Sequence, residues 1–369
     1  MINLTEEKKI VNEDTLENRC PACRASIKYN PKLKKFKCEY CGSEFTLEEM
    51  KQHSDNASTD DKNKPKKEQK VKDDYNSYIT YRCESCGAEI IADEQTAATF
   101  CVYCGNTAIL KSKLSGNFTP DKIIPFKKEK EEAIKAFKGL SKGRPLMPKD
   151  FNSEKNIEKI KGVYIPFWLY DINISGDVNM TGNIVTQWTS GDTHYTKTDK
   201  YNIVRGGTMD YHNIPVDGSS RFDNDIMNSI EPFAFAELED YNHAYLSGFY
   251  AEKYDEEGDK VYEEVKKRAL NSSKDRLYSD ATRYTSKVIT GDNLTATETK
   301  KQYAMLPVWM VNVKYKDKMH IFAMNGQTGE FIGNIPLDGK RTLIYTILIF
   351  SISFAVIMIG SYLMFIMGG

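Results

Sequence analysis

Pro166–Ile174 reads PFWLYDINI, and Pro307–Tyr315 reads PVWMVNVKY. Both open Pro-x-Trp and continue in the same apolar pattern. Such an echo suggests a duplicated or pseudo-symmetric β unit. Trp168 and Trp309 then read as core anchors rather than ligand platforms, because large aromatic side chains are usually highly buried in folded domains.

Around these two stretches, residues 113–339 read as one α+β domain. Glu129–Leu140 carries Ala133, Ile134, Phe137 and Leu140 at helical spacing and ends in the turn-rich SKGRP. A short helix is expected from Ser153 to Lys161, followed by a strand through GVYIPFWLYDINISG. Val178–Thr189 and Tyr195–Val204 read as a hairpin joined through Ser190-Gly191-Asp192. Asp259 is expected to cap a helix reaching about Leu277, with Val261, Val265, Ala269 and Leu270 inward. Two closing hairpins are expected to turn at Lys316-Asp317 and at Asn325-Gly326 or Thr328-Gly329.

N-terminal to that domain, all eight cysteines fall into CxxC pairs: Cys20/Cys23, Cys38/Cys41, Cys83/Cys86 and Cys101/Cys104. The two pairs of each module stand 14 residues apart, so CxxC-x14-CxxC occurs twice. Two residues between cysteines let one tight turn aim both sulfurs at a single ion, and two such knuckles complete a tetrahedral thiolate site. Gly42, Gly87 and Gly105 follow three of the pairs, where a residue without Cβ takes positive φ freely. Arg24 stands in that place in the first module, so its first knuckle is expected to be looser. The spacing points to two structural zinc ions. Four thiolates close the coordination shell, which argues against catalysis at the metal. They also suit iron, and spacing alone leaves that alternative open. Modules this small owe most of their folding energy to the metal, on the order of 10 kcal/mol or more.

Lys28, Lys32, Lys34, Lys35 and Lys37 cluster on the first module's hairpin. They are the candidate phosphate contacts of a nucleic-acid reading; a solvated turn is favoured over it because no aromatic platform accompanies them. Residues 51–77 are highly charged and nearly devoid of apolar side chains, which marks a flexible linker.

At the other end, Leu343–Met367 reads LIYTILIFSISFAVIMIGSYLMFIM, without a charge. As a helix it is about 36 Å long, enough to cross a ~30 Å hydrocarbon core. Lys340 and Arg341 precede it and no basic residue follows, so the positive-inside rule places the body in the cytoplasm, tail-anchored in the cell membrane by a single pass. The N-terminal stretch lacks the apolar segment of a secretory signal. With 51 basic and 52 acidic residues the net charge is −1, so no global field draws the chain to nucleic acid. HExxH, GxSxG and GxGxxG are absent, and the five histidines show no ligand spacing.

YRCESCGAEIIADEQTAATFCVYCGN, IIPF, KGRPLMPKDF, KGVYIPFWLYD and LPVWMVNVKYKDKMHIFAMNGQTGEFIGNIP together resemble a bacterial family common in Firmicutes. Its members are described as zinc-ribbon membrane proteins of the transcription-factor-IIB type, some labelled primosomal or replication-restart helicase-like. The resemblance covers most of residues 78–338. Val102 stands where that family usually has proline, which leaves the four ligands undisturbed. The resemblance implies partners among flotillin-like (SPFH-domain) or phage-shock-type membrane proteins, and a role in membrane organisation or envelope stress.

The expected architecture is α+β: an N-terminal tail (1–17), zinc ribbon one (18–50), a charged linker (51–77), zinc ribbon two (78–112), a mixed, mainly antiparallel β domain with a few helices (113–339), and a C-terminal transmembrane anchor (340–369). The expected function is that of a non-enzymatic membrane-anchored scaffold that presents protein-binding surfaces, with no small-molecule substrate. The alternative is a membrane-tethered nucleic-acid-binding protein concerned with replication or transcription.

Overall fold

The computed structural model describes residues 13–16, 18–57, 79–83, 86, 89–92, 95–101, 106–114, 116–148, 151, 153–157, 159–222, 224–316, 318–333 and 335–367. The first strand, β1 (Glu13–Leu16), falls in the stretch expected as a tail. Ribbon one follows as β2 (Ile27–Asn30), β3 (Lys35–Cys38) and β4 (Glu44–Phe45), a three-stranded sheet of its own. Helix α1 (Leu47–Ala57) runs past the expected boundary at residue 50. Its start is fixed reciprocally: the Thr46 amide donates to Glu49 Oε2 and the Glu49 amide to Thr46 Oγ1. The rest of the expected linker, 58–77, lies outside the described residues.

Ribbon two supplies β5 (Ile79–Arg82), β6 (Glu89–Ala92), β7 (Thr96–Phe100) and β8 (Thr107–Leu110). The body then runs β9 (Lys122–Ile123), α2 (Lys130–Gly139), α3 (Glu154–Ile157), β10 (Lys161–Ser190), β11 (Thr193–Asp217), α4 (Asn224–Ser229), β12 (Glu239–Asp240), β13 (Tyr250–Glu252), α5 (Gly258–Asp280), β14 (Ser286–Asp292), β15 (Thr295–Tyr315), β16 (Lys318–Asn325), β17 (Phe331–Gly333) and α6 (Gly339–Met367). Among the described residues fourteen of these strands join one mixed, mainly antiparallel sheet, and ribbon two belongs to it. Strand β7 pairs with β13, β8 with β7, and β1 bridges β8 and β5.

The Pro-x-Trp echo marks the sheet's centre. Strands β10 and β15 pair antiparallel, with Ile165 opposite Leu306. A local two-fold through that pair carries Pro166 onto Pro307 and Trp168 onto Trp309. It also carries the neighbours: β13 lies parallel to β10 at Val163–Tyr164, and β9 lies parallel to β15 at Ala304–Met305. The Gly218 amide donates to Pro166 O, and the Gly326 amide to Pro307 O. The Gly218 carbonyl accepts from Asp255 and Glu256; the Gly326 carbonyl accepts from Lys127 and Lys128. Trp168 Nε1 donates to Glu256 O at 2.8 Å, and Trp309 Nε1 to Lys128 O at 2.9 Å. Each tryptophan thus pins the entry of one helix, α5 or α2, while Tyr254 or Phe126 packs on its ring. The body is two copies of a strand–helix–hairpin unit.

Both faces of this centre are buried. Tyr164, Tyr303, Met305, Trp309 and Val311 lie on the side of α2, and Tyr170, Ile172 and Ile174 pack against Val265 and Ala269 of α5. Ile165, Phe167, Leu169, Leu306 and Val308 meet Met227, Ile230 and Phe233 on the opposite side. Helix α2 lies where the apolar stripe predicts, with Ala133 and Phe137 buried. Helix α5 begins after Glu257 rather than at an Asp259 cap; Asp259 instead pairs with Lys301. The expected hairpins form as two long strands turning at Gly191 (φ 60°), and as β15–β16 turning at Lys316 (φ 46°). Beyond residue 184 the β10–β11 arm is two-stranded, and Trp188 stacks on Tyr195 near its tip with both rings exposed.

Helix α6 is long and apolar enough to cross a membrane, and its residues 343–362 are exposed. Only its base is held. Asp338 Oδ1 accepts the amides of Lys340 and Arg341, the Asp338 amide donates to Leu146 O, and Arg341 Nη1 donates to Pro145 O and Met147 O.

Candidate metal centres

In ribbon one the backbone turns back on each cysteine pair. The Arg24 amide donates to Cys20 O and the Gly42 amide to Cys38 O, both at close to ideal length. Two further amide bonds, Cys20 to Ala25 O and Cys38 to Ser43 O, close the knuckles. Gly42 takes φ 75°, as its lack of Cβ permits, but Arg24 takes φ 63° as well. The first knuckle is therefore not looser: the chain accepts a left-handed arginine, at about 1 kcal/mol, to make the same turn.

These turns converge the four sulfurs of Cys20, Cys23, Cys38 and Cys41 to within 4.8 Å of one another. Cys20 and Cys41 Sγ are 3.6 Å apart, as are Cys23 and Cys38 Sγ. A disulfide would bring sulfurs to about 2.05 Å. A tetrahedral shell with metal–sulfur bonds of ~2.3 Å has edges of about 3.8 Å, which these separations match. In ribbon two Cys83, Cys86 and Cys101 converge likewise, with Cys86 and Cys101 Sγ 3.7 Å apart. Its predicted fourth ligand, Cys104, lies outside the described residues. Both clusters suit a metal ion.

Cys20 and Cys38 are buried, whereas Cys23 and Cys41 are exposed. The Ser43 hydroxyl, then the Ser43 backbone, hold the Cys41 thiol below its ordinary range, while desolvation and the neighbouring sulfurs push Cys23 up. A closed thiolate shell binds and orients; it offers no position for a substrate.

Ribbon one docks on the body through side chains that sequence reasoning did not single out. The Tyr29 amide donates to Ser247 O at 3.0 Å, and Asn18 Nδ2 to Ser247 Oγ at 2.7 Å. The Tyr29 and Phe36 rings both meet Tyr245, and Tyr245 donates to Glu239. One residue on, the Gly248 amide donates to Thr107 Oγ1 of ribbon two. A single loop, Ala244–Phe249, thus grips both ribbons. The available signal was the alternation in IKYN and KFKC, which buries Ile27 with Tyr29 and Phe36 with Cys38.

The five candidate phosphate-binding lysines divide. Lys28 pairs with Glu39 at 2.9 Å. Lys34 turns toward the body, where it adds to the larger effects of Lys127 and Gln327 in holding Glu237 below the ordinary carboxylate range. Lys32, Lys35 and Lys37 are exposed. Lys28 stands opposite Lys37 across β2–β3, and Lys35 lies two residues before Lys37, so these three share one face of the hairpin.

Across a 309-residue alignment the chain is 32% identical to the uncharacterized protein YdjG of Bacillus subtilis (strain 168), covering 70% of this chain and 91% of that protein. No family model and no solved structure matches the chain.

Proposed function

The chain belongs to the family of the Bacillus subtilis protein YdjG, and from its converging cysteines and its apolar C-terminal helix we propose that it is a membrane-anchored zinc-ribbon scaffold. In this reading the clusters at Cys20, Cys23, Cys38 and Cys41 and at Cys83, Cys86, Cys101 and Cys104 each hold one structural zinc. Helix α6 crosses the cell membrane, and the body stands in the cytoplasm as a non-enzymatic adaptor for other membrane proteins. Its sequence resembles the zinc-ribbon membrane proteins of the transcription-factor-IIB type, which suggests a place in membrane organisation or envelope stress.

One observation carries the reading: both ribbons fasten to the loop Ala244–Phe249 of a body whose turn Ser141–Met147 is bonded to the base of an apolar helix. One metal module built into the body's sheet and another docked on the same loop favour a fixed protein-binding platform over mobile nucleic-acid fingers. The pairing of Lys28 with Glu39 weighs in the same direction.

The test is a mild-detergent pull-down of the full-length protein from its own membranes, with half of the sample treated with nuclease. Membrane proteins retained equally in both halves are the expected result. A yield that disappears with nuclease, and with rising salt, would favour the nucleic-acid reading.

A further inference from the structure

Lys340 and Arg341 are the basic residues that the sequence sets beside the apolar helix, but the fold brings more charge to the same place. The turn Ser141–Met147 is fastened to the base of α6 by three hydrogen bonds: Arg341 Nη1 to Pro145 O at 3.1 Å, Arg341 Nη1 to Met147 O at 2.7 Å, and the Asp338 amide to Leu146 O at 2.8 Å. Lys142 and Arg144 stand on this turn, both exposed, as is Lys340. Among the described residues none of the three has a carboxylate partner. Between Lys138 and Pro148, and between Ile335 and Met367, the sequence holds one acid, Asp338, and its Oδ1 is taken up by the first amides of α6. Leu337 beside it is 62% exposed, an apolar side chain with nothing over it.

We propose that the turn Ser141–Met147 and the base of α6 form one rigid basic collar that binds the anionic phospholipid headgroups of the leaflet the helix enters. The proposal rests on α6 spanning a bilayer. The helix fixes where the headgroup layer lies, and the three bonds to its base fix the turn against that layer. Four cations, Lys142, Arg144, Lys340 and Arg341, then meet phosphates at the depth where each basic residue adds to the attraction of an anionic leaflet. The positive end of the helix dipole points the same way. Leu337 gains an apolar surface at the acyl boundary. The collar also sets the body's tilt, because the turn cannot move independently of the helix.

The experiment uses the full-length protein in bilayers of phosphatidylcholine with phosphatidylglycerol, probed by spin-labelled versions of both lipids. Electron paramagnetic resonance reads the fraction immobilised against the protein. The wild type should prefer the phosphatidylglycerol label about fivefold, and K142Q/R144Q should bring that below about twofold, as should high salt with the wild type. Immobilised lipid without headgroup preference overturns the collar while leaving the span intact. A preference unchanged in K142Q/R144Q also overturns it, since Lys340 and Arg341 alone would then account for it. No immobilised lipid of either kind overturns the spanning reading together with the collar.

Discussion

Asp217 and Asn325 occupy the same place in the two halves of the body: Asp217 lies opposite Phe167 on β10, and Asn325 opposite Val308 on β15. The pairs Phe167 and Val308, like Trp168 and Trp309, are related by the local two-fold. Both side chains are buried, but only the amide is fully served. Asn325 Nδ2 donates to Ile230 O and Pro232 O, and its Oδ1 accepts the amides of Gln327 and Thr328. Asp217 Oδ2 has no hydrogen-bond partner. Burial, then Glu256 and Glu264, push the Asp217 carboxyl up to about 7.

That difference predicts a pH-dependent penalty. An aspartate in the unfolded chain titrates near 3.9, so folding favours the proton between that value and about 7. A raised carboxyl costs nothing below pH 4, where both states are protonated. The cost grows as pH rises through the interval and is complete above about pH 7. Asp217→Asn should therefore stabilise the protein at pH 8 by on the order of 2 kcal/mol, and by much less at pH 5. Denaturant titrations of both proteins at the two pH values check this; an equal difference at both would remove the carboxyl from the explanation.

The repeat also predicts unequal responses to one substitution. A Cβ at Gly326 would stand 2.6 Å from the Phe126 ring and 2.9 Å from Pro307 Cβ, whereas at Gly218 the nearest atom, Tyr254 Cβ, is 3.1 Å away. Gly326→Ala should cost roughly 2–3 kcal/mol and Gly218→Ala about 1 kcal/mol or less. Thermal unfolding ranks the pair, and the reverse order would mean that the two halves are not packed as described.

Much of this was legible in the sequence, for reasons that differ by element. The Pro-x-Trp echo announced the duplication because each tryptophan performs the same task, pinning a helix entry. Cysteine spacing announced the clusters because a knuckle is a local turn. The α2 stripe and the Gly191 turn are equally local. What escaped depends on distant partners. The two-fold needs the register of β10 against β15, which no window of either strand contains. The place of β1 in the sheet depends on β5 and β8, far along the chain. Asp259 looked like a cap by residue type, but Lys301 claims it. The docking of Tyr29 on Ser247 and the clamp of Arg341 on Met147 join segments about two hundred residues apart.

Metal removal should act on one ribbon at a time. Cys38 is fully buried, and its neighbour Phe36 packs on Tyr245. Cys38→Ser should lower bound metal by about one equivalent per chain and expose residues 18–57 to protease, while the β7–β8 module stays protected through β13. Elemental analysis and limited proteolysis read the two effects. Loss of both equivalents would show the ribbons to be one cooperative unit, which the shared grip on Ala244–Phe249 makes the principal rival outcome.

Arg341 carries the last prediction, because its guanidinium links helix α6 to the body. Arg341→Gln removes the bonds to Pro145 O and Met147 O and leaves the Asp338 amide on Leu146 O. Charge-assisted bonds of this kind contribute about 1.5–3 kcal/mol where they are shielded, and less at a partly exposed site such as this one. The turn Ser141–Met147 should then open more readily, with amide exchange across 141–148 about tenfold faster and the sheet unchanged. Lys340→Gln, which alters the same charge without touching the clamp, should leave that exchange rate as it is. If the two variants behave alike, the turn is held by the Asp338–Leu146 bond and the packing of Met147, and the guanidinium adds nothing to the clamp.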